Sequence, residues 1–329
     1  MKIVDVSLAD VEMKPTRDGY GDGLLALCRT RPDVVVLDAD LAKSTRTIWV
    51  REKYPERFFD LGISEQDMLS TAAGLALSGL VPFVTTYGVF VAGRAWEQIR
   101  TSICYCNLNV VIGGAHGGVS VGPDGATHQA LEEIAIMRAI PNMTVIVPAD
   151  YHETKKATIA AVDIQGPVYL RFGREPVPVV TTVTTPFTVG RTEIYRSGND
   201  VGIIAAGAMV FEALMAARIL AADGIQARVI NCHTIKPLDR DTLLVVASEC
   251  GALVTAEEHQ INGGLGGAVA ELMAREYPVP VEMVAVLDRF GESGQPDELM
   301  LTFGLTYKDI ARAAKRAVER KTAYRETTG

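Results

Sequence analysis

The chain has 329 residues and a formal net charge of −8 at pH 7, with 48% hydrophobic and 22% charged residues. This length allows two domains with their own cores, and the composition is typical of a globular protein rather than a disordered one. The negative charge argues against a nucleic-acid-binding surface, and no apolar run reaches membrane-spanning length. Because no leader-like segment opens the chain and its five cysteines fit no zinc or disulfide pattern, we expect a cytoplasmic protein with no membrane partner.

Short apolar runs alternate with helical patterns along the chain. The first half has predicted strands at 34–37, 110–112 and 144–147, with helical patterns at 69–77 and 152–162 between them. The second half has predicted strands at 201–207, 227–230 and 253–255, and predicted helices at 210–222 and 268–275. Such alternation predicts an α/β fold with mainly parallel sheets.

A stretch rich in Pro, Thr and Val shows no helical period and divides the two halves. We predict a linker at 179–190, because such punctuation is typical of loops. The prediction gives a first domain over 1–178, including an N-terminal extension, and a second domain over 191–329.

The glycine-rich run 113–129 holds two of the five histidines of the chain, His116 and His128, together with Asp124. The run follows a predicted strand, and glycines allow a loop to turn sharply and approach a ligand closely. His and Asp in such a loop are placed to contact a polar substrate. A glycine-rich turn with two surface histidines is the simpler alternative.

Two further segments have unusual composition. In the run 60–68, Glu65 opens an apolar, Ala- and Gly-rich helical pattern, which helix capping alone would also explain. In the run 82–90, an apolar strand ends at Tyr87 and leads to Phe90, and core packing alone would explain either aromatic residue.

Taken together, these segments resemble the C-terminal half of the transketolase family, from about Thr16 to about Tyr307. Several motifs in the same order and spacing make the resemblance specific. The residues that carry it are Gly62–Gln66, Pro82–Phe83, Tyr87, Phe90, Ile99–Arg100, His116–Gln129, Pro141–Asn142 and Pro148–Asp150. The resemblance implies a pyrimidine-binding domain followed by a transketolase C-terminal domain.

The resemblance also implies thiamine diphosphate as cofactor. Glu65 matches the glutamate that activates the aminopyrimidine ring by sharing or donating a proton at a ring nitrogen. Phe90 matches the aromatic residue that stacks on that ring, and Tyr87 matches the aromatic residue beside it. The carbanion chemistry belongs to the cofactor, and the protein positions and polarises it.

On the substrate side, the resemblance implies a site for sugar phosphates. Ser44, His116 and Arg171 match positions that contact the phosphate, and an arginine fork suits that group. Asp124 matches an aspartate that contacts a substrate hydroxyl. His128 matches a histidine beside the donor or intermediate, and a group that titrates near neutrality suits proton transfer.

A complete transketolase has an additional N-terminal domain that binds the diphosphate through Mg²⁺, with a Gly-Asp-Gly motif followed by asparagines. Gly21-Asp22-Gly23 is present, but no asparagine precedes Asn107. We therefore interpret Asp22 as an exposed helix residue and assign no metal ligand to this chain. The resemblance implies one subunit of a split transketolase, with the Mg²⁺ and diphosphate ligands on an N-terminal partner subunit in a heterotetramer.

Three alternatives remain open at this point. The beta component of a 2-oxoacid dehydrogenase has a similar two-domain layout and a separate partner chain. A deoxyxylulose-phosphate synthase is closer, although that family usually has Asp-Arg in place of Ala115-His116. A non-catalytic subunit could also keep the fold. Gly93 stands where many transketolases have another aromatic residue, which leaves the physiological sugar phosphate undetermined.

Overall fold

The computed structural model describes residues 11–328, and side chains as far as Ala323. The strands of the first half are β1 (Met13–Pro15), β2 (Val34–Asp38), β3 (Phe58–Asp60), β4 (Val81–Tyr87), β5 (Val111–Ala115), β6 (Thr144–Ile146), β7 (Val168–Arg171) and β8 (Pro176–Pro178). The helices of this half are α1 (Thr16–Thr30), α2 (Ala42–Thr45), α3 (Ile48–Lys53), α4 (Glu65–Leu77), α5 (Gly88–Arg94), α6 (Trp96–Gln98), α7 (Glu133–Arg138) and α8 (Tyr151–Ala161). Short 3₁₀ turns at Pro55–Arg57 and Val119–Asp124 and a π-helical segment at Ile99–Cys104 complete it.

The second half begins after a stretch without helix or strand at 179–190. Its strands are β9 (Glu193–Arg196), β10 (Val201–Ala205), β11 (Ala227–Asn231), β12 (Thr234–Lys236), β13 (Leu253–Gln260) and β14 (Val281–Val286). Its helices are α9 (Met209–Ala222), α10 (Arg240–Cys250), α11 (Leu265–Glu276), α12 (Pro296–Thr302) and α13 (Tyr307–Thr328). Among the described residues, no helix has both the length and the apolar character needed to cross a bilayer.

The first large sheet has the order β12-β6-β7-β5-β4-β2-β3, and all neighbours are parallel except β12 with β6. Every residue of β2 is buried, as expected for a central parallel strand with helices on both faces of the sheet. The second sheet has the order β14-β13-β10-β11-β9, with β9 antiparallel. The prediction of an α/β fold with mainly parallel sheets is therefore confirmed.

The two halves share hydrogen bonds and core. Strand β12, from the second half of the sequence, extends the first sheet, with Thr234 opposite Ile146. One apolar cluster contains Val145 from the first sheet together with Ile204 and Ile230 from the second. Strand β1 also pairs with β8, so the two ends of the first half are held together.

Several local predictions need correction. The predicted strand at 253–255 continues to Gln260, and the helix predicted from 268 begins at Leu265. Strand β12 was not predicted, because three residues give too short a pattern. The first ten residues, assigned to the first domain, lie outside the described residues.

The Gly-Asp-Gly motif lies inside α1, as predicted, where its glycines permit close packing. A Cβ atom at Gly21 would lie 2.6 Å from the Trp49 ring, and one at Gly23 would lie 2.6 Å from Cβ of Thr158. The expectation that Asp22 is exposed is wrong: this residue is half-buried, and its carboxylate accepts a hydrogen bond from the Tyr151 hydroxyl. Asp22 therefore lies where α1 packs against α8.

Candidate active site

The predicted site residues gather at one edge of the first sheet. Ser44 follows β2, Glu65 follows β3, Phe90 follows β4 and His116 follows β5. These strands are neighbours in the sheet and run parallel, so their carboxyl ends open on the same edge. That edge is the usual place for a ligand in an open parallel sheet.

Glu65 is the first residue of α4 and is only 4% exposed. Its Oε1 atom accepts a hydrogen bond from Nη1 of Arg94 at 3.0 Å. Ser64, the preceding residue, makes no capping bond with its side chain and donates instead to the carbonyl of Leu61. Among the described residues, the nearly buried Glu65 carboxylate is thus paired with the Arg94 guanidinium.

Aromatic and imidazole rings form a cluster that the Arg94 side chain connects to Glu65. The Tyr87 ring stacks on the His116 ring with centroids 4.0 Å apart, and its centroid lies 5.7 Å from that of Phe90. His128 meets Phe90 edge-on at 5.3 Å. The structure therefore brings four predicted site residues into one cluster, and such packing holds flat rings in fixed orientation.

His116 lies in an unusual environment at the start of the glycine-rich loop. It has a φ of +59°, which non-glycine residues seldom adopt. Burial, together with the positive charges of Arg17 and Arg174, lowers the pKa of His116 to about 3. Its imidazole is therefore neutral at pH 7. Among the described residues its buried Nδ1 atom has no hydrogen-bond partner.

Arginines that the sequence analysis did not assign surround the substrate side. Nη1 of Arg17 donates to the carbonyl of Ser44 at 3.0 Å, while its buried Nε has no partner among the described residues. Burial lowers the pKa of Arg17, and the neighbouring charges of Arg46 and Arg174 act in the same direction. Clustered cations with unused donors are the electrostatic signature of an anion site.

The loop that carries Ser44 is held by Asp38 at the end of β2. The Asp38 carboxylate accepts hydrogen bonds from the Leu41 amide at 2.6 Å, from the Thr47 hydroxyl at 2.7 Å and from the Thr45 hydroxyl at 3.0 Å. Burial raises the pKa of Asp38 to about 6. Three donors on one buried carboxylate fix the path of the chain that places Ser44.

Asp124 lies at the exposed rim, 3.1 Å from Nη1 of Arg174 in an ion pair. His128 is half-buried, and its Nδ1 lies 2.9 Å from the Thr127 hydroxyl. Both residues belong to the loop after β5, and His128 meets edge-on the Tyr87 ring that stacks on His116.

Arg171 is the exception among the predicted substrate residues. Its Nε donates to Oε1 of Glu133 at 2.5 Å, its Nη2 donates to the carbonyl of Glu258 at 2.7 Å, and the residue is 6% exposed. The Arg171 guanidinium therefore lies in the protein interior. Two of its donor groups face buried protein acceptors rather than the open edge of the sheet, and this geometry does not support the predicted phosphate contact of Arg171.

The glycine pair after His116 is explained by two buried side chains that lie against it, those of Arg171 and Glu258. A Cβ atom at Gly117 would lie 2.4 Å from Nε of Arg171, and one at Gly118 would lie 2.2 Å from the Glu258 carboxylate. Gly118 also has a φ of +94°. Only glycine allows this loop to pass over the Arg171 side chain.

Sequence signals existed for two of the missed arginines. Arg17 stands in the first turn of α1, within the Thr16-Arg17 pair that opens the resemblance. Arg174 comes three residues after β7, at the same edge of the sheet as the other site residues. Nothing in the sequence indicated a role for Arg94, because its neighbours in sequence do not distinguish it from a solvent-exposed arginine at the end of a helix.

A second glycine run, at 263–267, spans the start of α11, and its helix amides do not face an open phosphate site in this structure. The amides of Leu265 and Gly266 both donate to the Glu257 carboxylate at 2.7 Å. The anion at this helix start is therefore one of the protein's own side chains.

The arrangement of Glu65 and Phe90 suits a flat, hydrogen-bonding group, as the pyrimidine ring implied by the sequence resemblance would be. The flat guanidinium of Arg94 donates to Glu65 and lies over the Phe90 ring, with Cζ 4.0 Å from the ring centroid. The space between the carboxylate and the aromatic face therefore accepts a flat, hydrogen-bonding group. The described residues contain no group of three or more His, Cys, Asp or Glu side chains arranged to hold a metal ion.

Comparison with known proteins identifies the family of this chain. A family model for the transketolase pyrimidine binding domain matches residues 12–179, and one for the transketolase C-terminal domain matches 190–310. The chain belongs to the transketolase family. Membership in this family implies dependence on thiamine diphosphate.

Related proteins include separate transketolase subunits. The chain is 43% identical to the "putative transketolase C-terminal section" of Methanocaldococcus jannaschii, over 91% of this chain and 95% of that protein. It is 41% identical to a 6-deoxy-6-sulfo-D-fructose transketolase subunit of Clostridium sp., over 93% and 95% of the two chains. A solved "split gene transketolase, inactive beta4 tetramer" superposes with a TM-score of 0.88 at 48% identity, covering 93% of this chain and 99% of that one. The chain is therefore a split transketolase-type subunit.

Proposed function

We propose that this subunit, with an N-terminal partner, transfers a two-carbon ketol unit between sugar phosphates. The observation that carries the proposal is the pairing of a nearly buried carboxylate, Glu65, with the Phe90 ring across a gap filled by a flat group. Beside this pair lies a cluster of cations and neutral imidazole that suits a sugar phosphate. A fold-preserving, non-catalytic subunit would need neither feature.

Each residue has a defined role in this proposal. Glu65 holds or shares a proton at a ring nitrogen of the pyrimidine, and Phe90 with Tyr87 fixes the ring. The bound cofactor supplies the carbanion. His128 moves protons at the substrate, and Asp124 contacts a substrate hydroxyl. Ser44, His116, Arg17 and Arg174 hold the phosphate, so Arg171 is replaced in this role.

We also propose that the partner subunit provides Mg²⁺ and the diphosphate ligands, in a heterotetramer with two copies of each chain. The related structure described as an inactive beta4 tetramer supports this division, because that protein's beta chains alone are inactive. We retain the domain boundaries 1–178, 179–190 and 191–329 as part of the proposal. The five cysteines are free, which supports a cytoplasmic location.

The test is reconstitution. The purified chain is mixed with candidate N-terminal subunits, thiamine diphosphate and Mg²⁺, and ketol transfer between sugar phosphates is measured. We expect no transfer by either subunit alone and transfer by the mixture, with the Glu65→Gln mixture as control for contaminating enzyme. Transfer by this chain alone would contradict the split-subunit proposal. Decarboxylation of pyruvate without ketol transfer would instead favour another thiamine diphosphate enzyme.

A further inference from the structure

The side chain of Arg94 makes both contacts expected of the cofactor's pyrimidine ring. Its Nη1 donates to Oε1 of Glu65 at 3.0 Å, and its Cζ lies 4.0 Å from the centroid of the Phe90 ring. The guanidinium is planar, as the ring is, and donates hydrogen bonds in its own plane. One side chain therefore satisfies the carboxylate and covers the aromatic surface at once.

The covered face of Phe90 is the one turned toward Glu65. A single guanidinium reaches both groups, so it must lie on the side of the ring that looks at the carboxylate. A pyrimidine ring that contacts Glu65 while stacking on Phe90 needs that same space. Arg94 and the ring therefore cannot occupy their positions together.

The Arg94 contacts are local and easily reversed. Phe90 and Arg94 are four residues apart on α5, a spacing that places side chains on the same helix face. The Arg94 side chain is 48% exposed, so it can leave toward solvent, whereas the Glu65 side chain is 5% exposed. The neighbouring Gly93 leaves this side of the helix open, since a Cβ atom there would meet nothing within 4 Å.

We propose that Arg94 is a placeholder for the pyrimidine ring: it closes the Glu65–Phe90 site before the cofactor binds, and the ring displaces it. This inference rests on the proposed function. Arg94 lowers the apparent affinity for the cofactor, because part of the binding free energy goes into breaking its contacts. In return, it keeps a nearly buried carboxylate paired until the cofactor arrives.

The expected effect is a gain of affinity on removing the side chain. A partly exposed ion pair and a cation–π contact are each weak, so Arg94→Ala should tighten thiamine diphosphate binding about three- to thirtyfold. Arg94→Lys keeps the charge but loses the planar fork, and should give a smaller gain. Arg240→Ala is the matched control: Arg240 is a 54% exposed arginine paired with Glu276, away from this site, and its loss should leave binding unchanged.

Binding is measured by titration calorimetry with thiamine diphosphate, on the full chain at millimolar cofactor and again after assembly with the partner subunit. A second measurement follows the Arg94 side-chain Nε–H signal by NMR. We expect a ring-current shift that Phe90→Leu abolishes and that cofactor addition removes. This readout does not depend on turnover.

The possible outcomes separate the two proposals. Tighter binding by Arg94→Ala, with loss of the ring-current shift on cofactor addition, supports the placeholder. Unchanged or weaker binding would overturn it while leaving the proposed function intact, and weaker binding would identify Arg94 as a cofactor ligand. If neither the wild-type protein nor the variant binds thiamine diphosphate, with or without the partner, both proposals fail.

Discussion

Nε of Arg171 lies 2.5 Å from Oε1 of Glu133, and both side chains are almost fully buried. The pair lies directly under Gly117 and beside Glu258, so it supports the start of the loop that carries His116, Asp124 and His128. Its importance for the site is therefore indirect. The pair fixes the position of the loop backbone, and the loop carries the side chains that we propose contact the substrate.

Removing one member of this pair should destabilise the fold. Arg171→Ala leaves Glu133 buried without its cation, which typically lowers the free energy of unfolding by about 3–5 kcal/mol. Urea unfolding followed by circular dichroism measures the change. The double variant Arg171→Met with Glu133→Leu should recover part of the loss, because no unpaired charge remains. A normally stable Arg171→Ala protein with a raised KM only for phosphorylated substrates would restore the phosphate role to this residue.

The phosphate role assigned to Arg17 and Arg174 predicts a selective loss of affinity. A charge-assisted hydrogen bond contributes about 1.5–3 kcal/mol, so Arg17→Ala or Arg174→Ala should raise KM for a sugar phosphate roughly ten- to a hundredfold. Hydroxypyruvate has no phosphate and should be affected little. Steady-state kinetics of the assembled enzyme on both substrates measures the difference. An equal rise of KM for the two substrates would argue against phosphate contact.

Asp124 should behave differently from the arginines. Its assigned contact is with a substrate hydroxyl, which aligns the reacting end of the substrate. We therefore expect Asp124→Ala to lower kcat and to reduce the preference between hydroxyl stereoisomers. Because Asp124 is paired with Arg174 at the rim, Asp124→Asn is the control that keeps shape and hydrogen bonding. An unchanged stereoisomer preference in Asp124→Ala would remove the hydroxyl assignment.

Glu65→Gln tests the activation step directly. The substitution keeps the shape of the side chain, so the protein should fold, but the amide cannot share a proton with the ring. General acid–base groups contribute about 10²- to 10⁴-fold, which sets the expected slowing of hydrogen–deuterium exchange at the reactive carbon of the cofactor. NMR of quenched samples of the assembled enzyme reports this exchange. A wild-type exchange rate in the variant would exclude Glu65 as the activating group.

The contact between α8 and β11 should make stability depend on pH. Oε1 of Glu153 accepts a hydrogen bond from the Asn231 amide at 2.7 Å. Burial raises the pKa of Glu153 to about 8, with the neighbouring Asp150 charge acting in the same direction. A carboxyl whose pKa is higher in the folded state contributes stability that is present below its unfolded pKa, about 4.5, and is lost as the pH rises through about 8.

Glu153→Gln should therefore reduce the loss of stability between pH 5 and pH 9, because the neutral amide never has to ionise. Urea unfolding at several pH values compares this variant with the wild-type protein. Glu319→Gln, in the C-terminal helix, is a surface control that should leave the pH profile unchanged. An identical pH profile in Glu153→Gln and the wild-type protein would show that this carboxyl does not titrate in the assigned range.

The sequence was sufficient for the fold and for the parts of the site that depend on strand ends. The family resemblance assigned Glu65, Tyr87, Phe90, His116 and His128, and parallel strands bring residues at their carboxyl ends together whatever their separation in sequence. The partners of arginine side chains could not be predicted in this way. A long side chain at a strand end can face the ligand or turn inward, and only the tertiary positions of Glu133 and Glu258 decide that Arg171 turns inward.

Strand β12 belongs to the second half of the sequence but to the first sheet of the structure. The two halves are therefore joined more closely than the division between the family models, near residues 179–190, would suggest. If the chain were cut near residue 190, the first half would lose the strand that covers β6 and would present an open sheet edge to solvent. Such edges pair readily with other copies, so the severed half would tend to self-associate. The second half in turn would lose the apolar neighbours of Ile204 and Ile230. The smallest unit of this protein that can be produced alone is therefore expected to include both sheets.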